Sequence, residues 1–199
     1  MGKLVVIVGN TGVGKTTLTR ALCQAGSFVA GLEEHIERPF QALFKQEAHY
    51  ALANQLDYFL LRAEQEIMIR RASQTGIQDG GLDMDFYVFT RLFHHKGYLG
   101  DAEYNLCERL HALIRTTLPP PDMLVRLTAT QEEITRRFAK RERSLEIAVL
   151  DDLELTESFL EDWFARNDPA QIISLDTTAD DINYSHSIPL LLEHIQALT

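Results

Sequence analysis

The run Gly9-Asn10-Thr11-Gly12-Val13-Gly14-Lys15-Thr16 satisfies the spacing G-x-x-x-x-G-K-[ST]. Such a run grips a polyphosphate. Glycines let the backbone curl with several N–H groups pointing inward, and a following helix N-terminus adds positive potential. Lys15 places an ammonium at the β and γ phosphates, the Thr16 hydroxyl can ligate Mg²⁺, and Thr17 continues the run. The candidate contacts to a nucleoside triphosphate are therefore Gly9, Asn10, Thr11, Gly12, Val13, Gly14, Lys15, Thr16 and Thr17. A chance glycine-rich turn accounts for the glycines but not for Lys-Thr at the right offset.

An acceptor hydroxyl needs a carboxylate within reach to take its proton, and Mg²⁺ needs oxygen ligands beside the γ-phosphate. Glu33 and Glu34 follow one strand candidate and Asp79 follows the next. Both sets are expected at carboxyl ends of strands, where open parallel sheets collect ligands. Adjacent glutamates taken alone read more readily as a solvated acidic loop. Further on, Arg136-Arg137-Phe138-Ala139-Lys140-Arg141-Glu142-Arg143 is a basic island in an acidic chain. Arg137, Arg141 and Arg143 can converge if their helix ends near Arg141, and a lid over about 136–150 could then neutralise charge moving between phosphate and acceptor. The plainer reading is an exposed basic face paired with its own glutamates; its coincidence with a phosphate loop favours the lid.

Gln55 and Arg62 lie seven apart on one predicted helix, so they share a face roughly 10 Å apart along the axis. Gln55 offers a donor and an acceptor, which suits a nucleobase edge, and Arg62 could hold a carboxylate such as Asp85. On spacing alone an exposed helix surface is the better expectation for the pair.

The elements that must carry these residues alternate. Leu4 to Val8 is a continuous apolar run, suited to a strand buried on both faces. Thr16 to Ala25 reads as a helix stopped by Gly26, and Ser27 to Leu32 as a short strand. Pro39 opens a helical segment. From His49 to about Ser73, Leu52, Leu56, Phe59, Leu60, Ala63, Ile67 and Arg70 recur at helical spacing. Gly76 to Asp79 is a weak strand signal, followed by helices at Phe86 to Phe93 and Ala102 to Thr117 and by the triple proline at 119 to 121. Met123 to Thr128 is a strand, Gln131 to Arg141 and Asp151 to Arg166 are helices, Gln171 to Leu175 is the last strand, and Ile182 to Leu198 the last helix. Strands separated by helices imply an α/β fold, a five-stranded parallel sheet with right-handed crossovers, in one domain spanning 1–199.

The chain of 199 residues carries 19 Lys and Arg against 29 Asp and Glu, a formal charge of −10. That balance argues against a nucleic-acid polymer or an anionic membrane as partner, since affinity for either rests on neutralising phosphates. At 45% hydrophobic and 24% charged residues, disorder and fibre are excluded. No apolar run approaches a membrane span or a signal-peptide core. Cys23 and Cys107 lack metal-ligand spacing and read as reduced thiols of a cytoplasmic protein. The seven histidines are scattered and suggest no metal site. Trp163, Phe159 and Phe164 read as core. No N-K-x-D element follows a strand, which sets aside a GTPase; the nearest string, Asn54-Gln55-Leu56-Asp57, lies inside the long helix and lacks the Lys. Long amphipathic helices make a homodimer plausible.

The segments GNTGVGKTTL, LEEHIERPFQALF, YALANQLDYFLLRAEQE, QDGGLDMDFYVF and RRFAKRERSLE, in that order, resemble the deoxynucleoside kinase family over nearly the whole chain. The resemblance implies a three-layer P-loop kinase fold and transfer of the γ-phosphate of ATP, with Mg²⁺, to the 5′-hydroxyl of a deoxynucleoside. By position it implies Glu33 as the base near that hydroxyl, or its neighbour Glu34 depending on the alignment through Pro39, Gln55 as reader of the nucleobase, and Arg62 as partner of Asp85 beneath the base. It further implies Asp79 beside Mg²⁺, Arg137, Arg141 and Arg143 in the lid, and Glu146 on the sugar 3′-hydroxyl. Asp176 to Asp180 falls where P-loop kinases often hold adenine. Two positions depart from the pattern: Gly80 stands where an Arg usually follows the acidic residue, and Phe44 aligns with a Tyr that holds the 3′-hydroxyl. Alternatives are a thymidylate-kinase-like monophosphate kinase and, from another class, a nucleotide-binding regulatory module with degraded catalysis.

Overall fold

Strand β1, Leu4–Gly9, is buried along its whole length. Its side chains divide between two cores, as the two-residue period of a strand requires. Val5 and Ile7 pack with Leu18, Leu22, Leu191 and Ile195 on one face. Leu4, Val6 and Val8 pack with Ile69, Met84, Leu160 and Trp163 on the other. A strand covered on both faces has no water-facing side, so its sequence is continuously apolar instead of alternating. Each fully buried side chain of this kind contributes about 1.5–3 kcal/mol.

A computed structural model describes residues 2–32, 38–139, 152–167, 172–181 and 183–198, the last two residues of the 38–139 stretch by backbone only. The elements after β1 are α1 (Lys15–Ala25), β2 (Val29–Gly31), α2 (Pro39–Gln46), α3 (Ala51–Arg71) and β3 (Gly76–Asp79). Next come α4 (Leu82–Met84), a π-helical stretch Asp85–Thr90, α5 (Arg91–His95), α6 (Asp101–Thr117) and β4 (Met123–Thr128). Helices α7 (Gln131–Ala139) and α8 (Leu153–Phe164), strand β5 (Ile172–Asp176) and helix α9 (Ser187–Gln196) complete the described chain. The sheet has five strands in the order β2-β3-β1-β4-β5, and every pairing is parallel. The chain steps outward from β1 to β2, returns to β3 and then crosses β1 to reach β4. Strand order therefore reverses at β1, and the crevice of such a reversal lies beyond its carboxyl end.

Several expected boundaries move. The long helix begins at Ala51 after a 3₁₀ turn, Ala48–Tyr50. The helix expected from Phe86 starts four residues earlier, at Leu82, because the Asp85 N–H donates to Gly81 O at 2.9 Å and opens the first turn directly after the glycine pair. The last helix starts at Ser187 instead of Ile182, with turns before it. On α3 the expected stripe and the buried face coincide only in part: Phe59 and Arg70 are buried, but Leu60 is 57% exposed, and Arg62 and Glu66, outside the stripe, are buried. No described helix is long and apolar enough to cross a membrane.

Candidate active site

The turn between β1 and α1 needs glycine for a steric reason. Gly9, Gly12 and Gly14 have φ of 144°, 86° and 110°, values that L side chains rarely adopt. Inside the curl, Lys15 Nζ donates to Gly9 O at 2.9 Å and Asn10 O at 3.0 Å, so the ammonium lies across the loop. The Thr16 hydroxyl, in the first turn of α1, donates to Asp79 Oδ2 at 2.5 Å. Asp79 ends β3, and Ile7 of β1 is its register partner, so sheet pairing brings the acid to the loop. The two candidate Mg²⁺ ligands thus meet as one pair of hard oxygens, the donor type that Mg²⁺ takes.

The loop is tied to the rest of the fold by residues that sequence reasoning did not single out for that role. Asn10 Nδ2 donates to Leu153 O at 2.9 Å and Glu157 Oε2 at 3.1 Å, anchoring the loop to the start of α8. Tyr184, at φ 52°, donates its hydroxyl to Gly14 O at 3.2 Å. Arg137, expected in the lid, does reach the loop. Its Nη1 donates to Val13 O at 2.8 Å, its Nη2 to Thr177 O at 2.6 Å, and its Nε to Glu133 Oε1 at 2.6 Å. The guanidinium therefore clamps the phosphate loop to the turn after β5, within the segment expected near adenine. Hydrogen bonds from Arg136 and Arg137 hold the Glu133 carboxyl down at about 2.

Across β3, the expectation of an exposed Gln55 and Arg62 is overturned: each is 2% exposed. They are buried because their partners come from distant segments. Arg62 donates Nε to Asp85 Oδ2 at 3.0 Å and Nη1 to Asp79 O at 2.8 Å. Gln55 donates Nε2 to Asp85 O at 2.9 Å. One guanidinium thus joins the end of β3, at the phosphate loop, to the turn that carries Asp85. Gln65 extends the network, donating to Leu32 O at 2.9 Å and accepting from Gln78 Nε2 at 3.1 Å. Phe44 is buried, edge-on to Phe93 at 5.1 Å and Tyr98 at 5.5 Å. Gly80, the other departure, has φ 74°, and a Cβ there would stand 3.0 Å from Arg62 Nη2. The place of a side chain at 80 is taken by Arg62. Glu33, Glu34, Arg141, Arg143 and Glu146 lie outside the described residues.

A second charged cluster lies behind this site. Arg115 donates Nη1 to Glu66 Oε2 at 2.7 Å and Nε to Asp83 Oδ1 at 2.8 Å, and His111 Nε2 meets Asp83 Oδ1 at 2.8 Å. Burial pushes Glu66 up from the usual carboxylate range despite Arg115. For Asp83 burial opposes ionisation, yet the His111 and Arg115 hydrogen bonds outweigh it and hold the carboxyl low. Arg62, Glu66 and Arg70 recur every four residues on α3, a spacing that reads as a surface ion-pair ladder. The spacing was the available signal; the partners, on other elements, were not. Burial raises the Cys107 thiol to about 11, so it packs as an apolar group. Among the described residues no group of three His, Cys, Asp or Glu could hold a metal ion.

Comparisons with known proteins bear on the fold and on the family. A family model described as deoxynucleoside kinase matches residues 5–198. The chain is 24% identical over 200 residues to a deoxyadenosine/deoxycytidine kinase of Bacillus subtilis (strain 168), covering 98% of this chain and 92% of that protein. It is 28% identical over 146 residues to a deoxyadenosine kinase of Dictyostelium discoideum, covering 73% and 59%. Among solved structures, deoxyadenosine kinase from M. mycoides with dCMP and dCDP superposes with a TM-score of 0.81 at 18% identity, covering 98% of this chain and 99% of that one. The same enzyme with dATP gives 0.78 at 17%, covering 97% and 99%.

Proposed function

Since the chain belongs to the deoxynucleoside kinase family, we propose that it transfers the γ-phosphoryl group of ATP to the 5′-hydroxyl of a deoxynucleoside bearing an exocyclic amine, deoxyadenosine or deoxycytidine. The observation that carries this is the Arg62 guanidinium, which bonds both the Asp79 carbonyl and the Asp85 carboxylate. It makes the phosphate end and the base end one rigid unit. Gln55 spends one N–H on Asp85 O, leaving a donor and an acceptor for a base edge. A carboxylate beside that edge favours an amine donor over the carbonyl of thymine. The names of the relatives, a deoxyadenosine/deoxycytidine kinase and deoxyadenosine kinases, point the same way.

In this reading the loop N–H groups and Lys15 hold the triphosphate, and Thr16 and Asp79 would hold Mg²⁺, which would supply positive charge to the phosphoryl transfer. Glu33 takes the proton of the 5′-hydroxyl as it attacks in line. Arg137 serves the reaction through its hold on the loop, Arg141 and Arg143 would supply the lid's cations to the migrating charge, and Glu146 would bind the 3′-hydroxyl. Free Cys23 and Cys107 suit a reducing cytoplasm. Exposed Leu60 and Met68 on α3 and Leu106 and Leu113 on α6, two helices in mutual contact, supply an apolar face for a homodimer.

The test is an ADP-release screen with ATP and Mg²⁺ against deoxynucleosides, ribonucleosides and their monophosphates. Deoxyadenosine or deoxycytidine is expected to stimulate release, and Lys15→Ala or Glu33→Ala to abolish it. Stimulation by monophosphates alone would establish the monophosphate-kinase reading instead. Tight ATP binding with no acceptor-stimulated release would leave a regulatory module.

A further inference from the structure

Asn54 is 1% exposed, and its side-chain Oδ1 has no hydrogen-bond partner. Burying an amide carbonyl without a partner opposes folding, and native proteins hold few such groups. Nor does helix formation call for Asn here, since Leu forms helix better and would fill the same volume without a polar cost. The position of the residue gives the orphan a meaning. On α3 it stands between Ala51, which packs in the cluster of Phe44, Phe93 and Leu99, and Gln55, which is bound to Asp85 O. Facing α3 is the π-helical stretch Asp85–Thr90, a backbone form that recurs at functional sites.

Resting on the deoxynucleoside reading above, we propose that Asn54 is a substrate-reading residue whose Oδ1 accepts a hydrogen bond from an N–H or O–H of the bound deoxynucleoside. Gln55 and Asn54, adjacent in sequence and about 100° apart around the helix, then read two different groups of one ligand. The donor is either the exocyclic amine of the base or the sugar 3′-hydroxyl, whose single proton would in that case go to Asn54 in place of Glu146. Asn54 is a binding device, and its unpartnered carbonyl is a cost to the folded chain that the ligand removes.

This assignment makes stability and activity move in opposite directions in one variant. Asn54→Leu should melt at or above the wild-type temperature and keep its KM for ATP. Its kcat/KM for the preferred deoxynucleoside should fall about tenfold, the factor commanded by one neutral hydrogen bond. Asn54→Ala, which adds no bulk, should show the same fall. Substrates lacking one donor then identify the partner: with 2′-deoxynebularine, which has no amine, or with a 3′-deoxy analogue, wild type and Asn54→Leu should become equal in one arm. Undiminished kcat/KM in both variants, or a lowered melting temperature with a deficit that neither analogue closes, would overturn the proposal in favour of a packing role. A wild-type chain inactive on every deoxynucleoside removes the proposal together with the reading beneath it, whereas an active wild type with unimpaired variants removes the proposal alone.

Discussion

Restoring the arginine that the family pattern expects at position 80 should damage this protein. Gly80 sits at φ 74°, and a non-glycine residue in that region costs about 1–2 kcal/mol. Its Cβ would also stand 3.0 Å from Arg62 Nη2 and 3.5 Å from Cζ. Arg62 cannot yield freely, because Asp85 Oδ2 and Asp79 O hold its guanidinium. Forcing an overpacked side chain against a pinned one adds about 1–3 kcal/mol. Gly80→Arg should therefore lose roughly 3 kcal/mol, which for a chain of this size lowers the melting temperature by about 6–12 °C. Gly80→Ala should lose nearly as much, since the backbone strain and the Cβ contact are common to both. Only the arginine adds a second cation beside Arg62, so only it should also weaken the hold on Asp85 and raise the KM for the nucleoside. Differential scanning fluorimetry and steady-state kinetics on the three proteins measure each part. A Gly80→Arg protein that melts with the wild type and gains kcat/KM would refute the reasoning, and would mean that position 80 is a true loss and not an exchange of space with Arg62.

Arg115→Met should cost about 3–5 kcal/mol in urea unfolding, because it leaves Glu66 and Asp83 buried without their cation; a loss below about 1 kcal/mol would show that the carboxylates find other partners. Asp122 accepts from Leu4 N–H at 2.8 Å and pairs with Arg70; burial opposes its ionisation, but these contacts outweigh it and hold its carboxyl low. It therefore releases its proton more readily folded than unfolded. Its contribution is complete above the ordinary aspartate value of about 3.9 and fades as pH falls through the lower folded value. Asp122→Asn should thus be less stable than wild type at pH 7, and the gap should close as pH falls below the lowered folded value; a gap that persists in acid contradicts the assignment. Leu60→Asp with Leu113→Asp should convert a wild-type dimer to monomer by light scattering, and a monomeric wild type would remove the proposed interface.

The phosphate loop was legible because everything it requires is local. A turn at positive φ, a cation and a hydroxyl at fixed offsets are written in consecutive residues, so Gly9 to Thr16 and the strand and helix around them follow from short-range rules. Strand β3 was also readable despite its weak pattern: Gly76–Asp79 ends where expected, and pairing with β1 brings Asp79 to Thr16.

Helix α3 shows where such reading stops. Its apolar period, taken alone, turns Leu60 inward, yet Leu60 is exposed while Gln55, Arg62 and Glu66 are buried. The rule that charged side chains face water rests on the cost of an unpaired buried charge, and that cost falls only when a partner arrives with the right geometry. Each partner here comes from elsewhere in the chain: Asp85 for Arg62, Arg115 for Glu66, Asp122 for Arg70. Hydrophobic periodicity carries no information about those meetings. The polar stripe is also what a ligand-reading wall demands, since an apolar helix face cannot distinguish an amine from a carbonyl. The failure of the amphipathic rule on α3 and its place at the proposed base-reading site thus share one cause. A polar face can be buried only where other segments, or the substrate itself, complete its hydrogen bonds.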